Sequence, residues 1–198
     1  MAIQEDLLIT YGADIIKLKK TELLFEEHNS PEFYFQIKTG KIKLTNFQTE
    51  NKEFIQSIHE DGESVGEIFL FSKSRYPVNA VSMEDCTIFR LESDKLLKLL
   101  ESNFEIQMKL LHYIAKRTYY TYILLNSLTS EDATHQLLTL LNHLKDSQNN
   151  SEPYSYKIPY TRKELAFLTG LRIETVIRIL KKMESENLIK IIKGRVYY

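Results

Sequence analysis

The feature that most constrains this 198-residue sequence is a segment near its C-terminal end with the pattern of two helices joined by a tight turn. Thr161 is followed three positions later by Glu164, the spacing of a capping box at the start of a helix. Gly170 can take the left-handed conformation that ends a helix. A run from Arg172 to Glu186, without Gly or Pro, then predicts a second helix. Two helices joined in this way predict a helix-turn-helix.

The predicted second helix has an apolar face and a charged face. With about 100° between successive residues, the apolar face contains Val176, Ile179, Leu180 and Met183. The opposite face contains Glu174, Ile177, Arg178, Lys181 and Lys182. Glu174 and Arg178, four positions apart, can form an intrahelical ion pair worth about 0.3 kcal/mol. In a major groove, the same arginine can donate two hydrogen bonds to guanine and the glutamate can accept from cytosine.

Charge separates this end of the chain from the rest. Between Ile158 and Tyr198 there are nine basic and four acidic residues, a net charge of +5, against 17 basic and 23 acidic residues elsewhere. A basic part on an acidic body is typical of binding to a polyanion. The run from Lys190 to Tyr198 predicts a β-hairpin wing whose basic residues contact phosphates without reading sequence. The candidate DNA-binding residues are Thr161, Arg162, Arg172, Glu174, Thr175, Ile177, Arg178, Lys181, Lys182 and Lys190.

The first half of the sequence consists of short apolar or alternating runs separated by turn residues such as Gly40 and Gly62. The runs predict strands over Glu22–Phe25, Phe33–Ile37, Lys41–Thr45, Phe54–Ile58, Pro77–Val81 and Thr87–Leu91. Many short strands at this spacing favour an antiparallel barrel or jelly roll.

Helical periodicity begins after Asp94. A short helix is predicted over Lys95–Leu100, a long one over Phe104–Leu128, and another from Ser130–Asp132 onward. The long helix has two apolar stripes, of which one can cover the β-domain and the other can pair with a second copy of the chain. The alternative is that both stripes are buried within one monomer. The predicted dimer seam is Leu111, Ile114, Thr118, Thr121, Leu125 and Leu128.

With these segments, the whole chain resembles the Crp/Fnr family of bacterial transcription factors. The segments Thr161–Gly170 and Glu174–Leu180 resemble its helix-turn-helix, and Gly62–Glu67 with Arg75–Ala80 resembles its effector-domain signature. The resemblance implies an α+β fold: an N-terminal cyclic-nucleotide-binding-type β-roll (jelly roll), a long dimerisation helix and a C-terminal winged helix-turn-helix. We expect these domains over residues 1–102, 103–129 and 130–198. It also implies a homodimer on a pseudo-palindromic operator and contact with RNA polymerase.

The effector region departs from the family pattern. The resemblance places the effector-pocket candidates at Gly66, Glu67, Ser74, Arg75, Arg117, Thr121 and Tyr122. Either Ser74 or Arg75 takes the position of the family's phosphate-binding arginine, because Tyr76-Pro77 replaces the small hydroxyl residue that follows it. We therefore expect an unknown small molecule, or none, rather than cyclic AMP. The single cysteine, Cys86, excludes an iron–sulfur cluster, and no residue pattern indicates a metal site.

The resulting interpretation is a cytoplasmic DNA-binding transcription regulator. The sequence has no apolar run near the ~20 residues of a membrane span and no signal peptide. An enzyme is not expected, because no Ser/His/Asp, Cys/His or P-loop pattern is present. The alternative is a small-molecule-binding module whose winged domain makes protein contacts.

Overall fold

The structure is a computed structural model that describes residues 3–49, 52–128, 132–146 and 152–198. The chain divides into two units, Met1–Lys116 and Arg117–Tyr198. One helix, α4 in the numbering used below, runs through the boundary.

The first unit is built around two four-stranded antiparallel sheets. Its elements are α1 (Glu5–Thr10), β1 (Asp14–Leu18), β2 (Leu23–Phe25), β3 (Phe33–Thr39), β4 (Ile42–Thr49), β5 (Lys52–His59), β6 (Ser64–Val65), α2 (Glu67–Ser72), β7 (Asn79–Ser82), β8 (Cys86–Glu92), α3 (Ser93–Ser102) and the first part of α4 (Phe104–Leu128). One sheet has the strand order β1-β8-β3-β6 and the other β2-β7-β4-β5. This crossing order produces the expected β-roll.

The central residues of β3 and β8 are buried on both faces of their sheet. Tyr34 and Phe89 point to a cluster beneath α1, α3 and α4, whereas Phe35 and Ile88 point into the roll, between the sheets. The β-roll therefore has one core inside it and a second core under the helices.

The six strands predicted from the sequence are all present, with shifted ends. Two further strands were missed. Strand β1 is at the edge of its sheet, and three of its five residues are exposed. Strand β6 has only two residues. Neither strand therefore has a clear alternating pattern. The bounds of α4 are those predicted, since no Gly or Pro interrupts it.

The second unit contains the remainder of α4, α5 (Ala133–Asp146), α6 (Arg162–Thr169), α7 (Ile173–Ser185), β9 (Lys190–Ile192) and β10 (Arg195–Tyr197). Its core joins α5, α6, α7 and the hairpin around fully buried residues such as Leu141, Leu165 and Leu180. Helix α5 begins where Asp132 accepts a hydrogen bond from the Thr134 amide at 2.8 Å; Ser130 and Glu131 lie outside the described residues. The unit is the predicted winged helix-turn-helix.

Candidate DNA-binding surface and effector region

Helix α6 begins and ends at the two local signals in the sequence, the capping box and the glycine. The Glu164 amide donates to Thr161 Oγ1 at 3.2 Å, and the Thr161 amide donates to Glu164 Oε2 at 2.6 Å, which completes the capping box. Gly170 ends α6 with a φ of 68°, in the left-handed region. Helix α7 therefore starts after only a short turn, as a helix-turn-helix requires.

Packing fixes which face of α7 is presented outward. Its four buried residues are those of the predicted apolar face: Val176, Ile179, Leu180 and Met183. They enter the same core as Leu165 and Ala166 of α6. The opposite face, with Glu174, Arg178 and Lys181, is exposed.

Glu174 and Arg178 do not form the intrahelical ion pair that their spacing allows. Among the residues that the structure describes, neither side chain has a hydrogen-bond or ion-pair partner. The pair that does form on α7 is Lys182 with Glu186, at 3.8 Å. The full hydrogen-bonding capacity of the Arg178 guanidinium and the Glu174 carboxylate is thus available to a bound molecule.

The other DNA-binding candidates surround this face. Arg172, Lys182 and Lys190 are exposed, Arg162 is half-buried at the first position of α6, and Thr175 and Ile177 are half-buried beside the exposed face. The Lys190 ammonium lies 4.4 Å from the centroid of the Tyr154 ring. That cation–π contact restrains the side chain while leaving its charge on the surface.

Two of the basic residues predicted on the wing lie at its tip. Lys193 and Arg195 flank Gly194, are exposed, and have no partner in the described part of the chain. Lys193 and Gly194 have φ values of 47° and 76°, as in the two-residue turns that suit β-hairpins. In the sequence, this turn is marked by Lys-Gly-Arg between two pairs of apolar residues.

The effector signature of the first unit surrounds Gly66, which has a φ of 78° before α2. A Cβ at this position would lie 2.8 Å from Phe25 Cε1 and 3.4 Å from Tyr76 Cε1. The Phe25 and Tyr76 rings stack at 3.7 Å, and Phe69 meets Tyr76 edge-on at 5.8 Å. We call Phe25, Phe69 and Tyr76 the aromatic cluster. It fills the space beside the signature glycine.

The polar residues of the signature do not form an anion site within this unit. Glu67 is fully buried, and burial of Tyr34, with a smaller contribution from Glu67, raises the pKa of the Tyr34 hydroxyl well above its usual range. Ser74 and Arg75 are both exposed, and the Arg75 guanidinium donates to the His28 carbonyl at 2.8 Å. No arginine among the described residues of this unit is buried.

Three effector candidates lie in the second unit. Arg117 is half-buried, and its carbonyl accepts a hydrogen bond from Thr121 Oγ1 at 3.1 Å. Thr121 is exposed and Tyr122 is 68% exposed. These positions lie on α4.

Helix α4 has one buried and one exposed apolar face. Ile106, Leu110 and Ile114 pack against the core of the first unit. Ile114 therefore lies on the buried face, although it was expected in the dimer seam. The expected seam residues Leu111, Thr118, Thr121 and Leu125 are exposed. The side chain of Leu128 lies outside the described residues.

Two further observations concern the described residues as a whole. None of their helices has both the length and the apolar character needed to cross a membrane. No three His, Cys, Asp or Glu side chains among them converge as metal ligands would.

The fold and the exposed face of α7 define a transcription regulator with a DNA-binding helix-turn-helix. Residues 15–103 match the cyclic nucleotide-binding domain, and residues 134–197 match the Crp-like helix-turn-helix domain. The chain belongs to the Crp/Fnr family.

The relatives are regulators of that family. The chain is 30% identical over 172 residues to the cAMP-activated global transcriptional regulator CRP of Salmonella typhimurium, covering 86% of this chain and 81% of that protein. It is 22% identical over 183 residues to the transcriptional activator protein FnrA of Stutzerimonas stutzeri, covering 89% and 75%. The structure of FixK2 from Bradyrhizobium japonicum has the same fold, with a TM-score of 0.76 at 18% identity over 93% of this chain and 91% of that one. CRP and FnrA are both named for the regulation of transcription.

Proposed function

We propose that this regulator binds a pseudo-palindromic DNA operator as a homodimer and reads base pairs with Glu174 and Arg178. The observation that carries the proposal is that both side chains are exposed on α7 and have no partner among the described residues. A bidentate arginine–guanine contact and a glutamate–cytosine contact each supply about 1–3 kcal/mol of discrimination.

The remaining candidates divide by role. Lys181 lies on the exposed face of α7 with the two readers, Thr175 and Ile177 lie beside that face, and Arg172 precedes the helix; in this proposal all four border the groove. Thr161 and Arg162 at the start of α6, with Lys182 and Lys190, contact phosphates. Such contacts set the position of the protein on the duplex and carry no sequence information.

The exposed face of α4 supports dimerisation through this helix. Exposed residues recur along α4 at alternating spacings of four and three, the heptad pattern of a coiled-coil seam. The seam residues are Phe104, Met108, Leu111, Ala115, Thr118, Tyr122 and Leu125. Phe104 is 73% exposed, Leu111 56% and Leu125 53%. A pairing partner would remove this apolar surface from water.

The proposed seam exchanges two residues of the sequence-based one, adds Phe104 and Met108, and ends before Leu128, whose side chain lies outside the described residues. Ala115 replaces Ile114, because Ile114 packs against the core of the first unit. Tyr122 replaces Thr121, because the heptad spacing that includes Ala115 continues to Tyr122. Leu111, Thr118 and Leu125 belong to both.

The effector is not a cyclic nucleotide in this proposal. The aromatic cluster beside Gly66 and the surface position of Arg75 support the exclusion of a cyclic nucleotide. In this proposal the effector is another small molecule, or there is none. The regulator acts in the cytoplasm and contacts RNA polymerase. Isothermal titration with cyclic AMP should give no heat of binding, and saturable binding would overturn this point.

The test of DNA binding is selection of duplexes from a random pool with the purified full-length chain. We expect enrichment of palindromes whose half-sites share a G·C pair. Arg178→Ala should lose the preference at that pair, whereas Lys190→Ala should weaken binding to all duplexes and reduce its salt dependence. Failure to enrich any duplex at low salt would refute the function, and would favour a ligand-binding module whose winged domain contacts proteins.

The dimer has its own test by light scattering. Leu125→Asp places a charge in the seam and should give a monomer with weak operator affinity. Ile123→Asp places the same charge on another face of α4 and should leave the dimer intact. An unchanged mass for Leu125→Asp would exclude this seam.

A further inference from the structure

The wing is too small to hold its own position. Strands β9 and β10 form only three residue pairs, from Arg195–Ile192 to Tyr197–Lys190. An isolated two-stranded hairpin is at best marginally stable in water. Contacts with the rest of the second unit must therefore determine where the wing lies.

Strand β10 is held from its outer side by the chain that precedes α6. The Ile158 amide donates to the Val196 carbonyl at 2.9 Å, and Tyr156 and Tyr198 exchange two backbone hydrogen bonds of 3.2 and 2.9 Å. The segment 156–158 thus acts as a third strand. Strand β9 is left as the edge of this small sheet.

One backbone donor on that edge is bound by the recognition helix. The amide of Ile191 donates to Glu184 Oε1 at 3.0 Å. Glu184 lies in the last turn of α7, and its side chain is exposed. Its carboxylate therefore joins α7 directly to β9, two residues before Lys193 at the tip of the wing.

A glutamate is an unfavourable choice at this place for electrostatic reasons alone. It binds β9 close to the wing tip, where Lys193 and Arg195 are exposed. A carboxylate near a DNA backbone opposes binding, because phosphates are also negative. Its hydrogen bond to Ile191 offers a reason for its presence, since a charged acceptor forms the stronger bond.

We propose that Glu184 is a positioning residue, which fixes the wing relative to the recognition helix so that Lys193 and Arg195 reach the phosphates beside the groove that α7 enters. This inference rests on the proposed function. Without the bond, the wing can still form, but its two cations are no longer held at a fixed distance from Arg178.

The direction in which Glu184→Ala changes the affinity for DNA separates this role from simple charge repulsion. Glu184→Ala removes both the charge and the hydrogen bond, so positioning predicts weaker DNA binding and repulsion predicts tighter binding. Glu184→Gln removes the charge but keeps a carbonyl acceptor, so positioning predicts affinity equal to or tighter than that of the wild type. Glu186→Ala is the matched control for charge alone, since Glu186 is exposed beside the same turn and contacts Lys182 instead of the wing, so this change should not weaken binding.

The experiment is a titration of the full-length chain with the selected operator duplex at several salt concentrations. We expect Glu184→Ala to weaken binding about tenfold and to reduce the salt slope by up to about 2, the value for two phosphate contacts. Glu184→Gln should restore both quantities. In a Lys193→Ala/Arg195→Ala background, Glu184→Ala should have no further effect, because there are no wing cations left to position.

Amide hydrogen exchange gives a readout independent of DNA. The Ile191 amide should be protected in the wild type and in Glu184→Gln, and should exchange faster in Glu184→Ala, while Leu180 in the helix core stays protected. If the wild type binds DNA and Glu184→Ala binds it equally well or more tightly, the role of Glu184 is refuted and the proposed function stands. If the wild type binds no duplex, both are refuted.

Discussion

Replacement of Tyr76 by alanine tests whether the aromatic cluster holds the β-roll together. Tyr76 is 3% exposed, stacks on Phe25 at 3.7 Å and meets Phe69 edge-on at 5.8 Å. Removal of a buried aromatic ring costs about 3–5 kcal/mol, of which the aromatic pairs account for about 0.5–1.5 kcal/mol each. We expect a loss near 4 kcal/mol for Tyr76→Ala, and less than about 1.5 kcal/mol for Tyr76→Phe, which keeps the ring.

The assay must separate the two units, because a chain with two units need not unfold in one step. Native-state hydrogen exchange does so, since amides of β7 report the first unit and amides of α6 report the second. Tyr76→Ala should reduce the opening free energy of β7 and leave that of α6 unchanged. Phe71→Ala is the control, because Phe71 lies on α2 in the same unit but is 39% exposed. A loss below about 1 kcal/mol in β7, or an equal loss in α6, would refute the reasoning.

Three further predictions concern single residues. Thr161→Ala removes one bond of the capping box and should destabilise the second unit by about 1 kcal/mol, measured as faster exchange of α6 amides; Thr161→Ser should be nearly neutral. Gly66→Ala places a Cβ 2.8 Å from Phe25 Cε1 at a positive φ, so it should lower the melting temperature of the first unit, and an unchanged melting temperature would contradict the close packing. Burial raises the pKa of Tyr76 to about 12 from 10.0, so stability should be unaffected below pH 10 and fall as the pH rises toward 12, and Tyr76→Phe should lessen that fall.

The parts of the fold that sequence predicted well depend on neighbours along the chain. The helix-turn-helix could be predicted because Thr161 and Glu164 are three positions apart and Gly170 follows directly. The bounds of α4 could be predicted because breakers are absent over 25 residues. The apolar face of α7 follows from helical periodicity alone.

The parts that were not predicted depend on contacts distant in sequence. Arg75 is held by the carbonyl of His28, 47 positions away, so its surface position could not be known from the Gly66–Glu67 motif. The stack of Phe25 on Tyr76 joins β2 to the loop between α2 and β7, 51 positions along the chain. Ile114 and Ala115 are both apolar, and only the tertiary packing of α4 shows which of them faces the core.

The most direct test of the central claim is a fluorescence anisotropy titration of wild type and Arg178→Ala against two duplexes: the selected operator, and the same operator with its shared G·C pair inverted in both half-sites. For the wild type we expect the inverted duplex to bind more weakly by about 1–3 kcal/mol per half-site. For Arg178→Ala the two duplexes should bind with the same affinity. Equal affinities for the wild type, or an undiminished preference in Arg178→Ala, would contradict base reading by this helix.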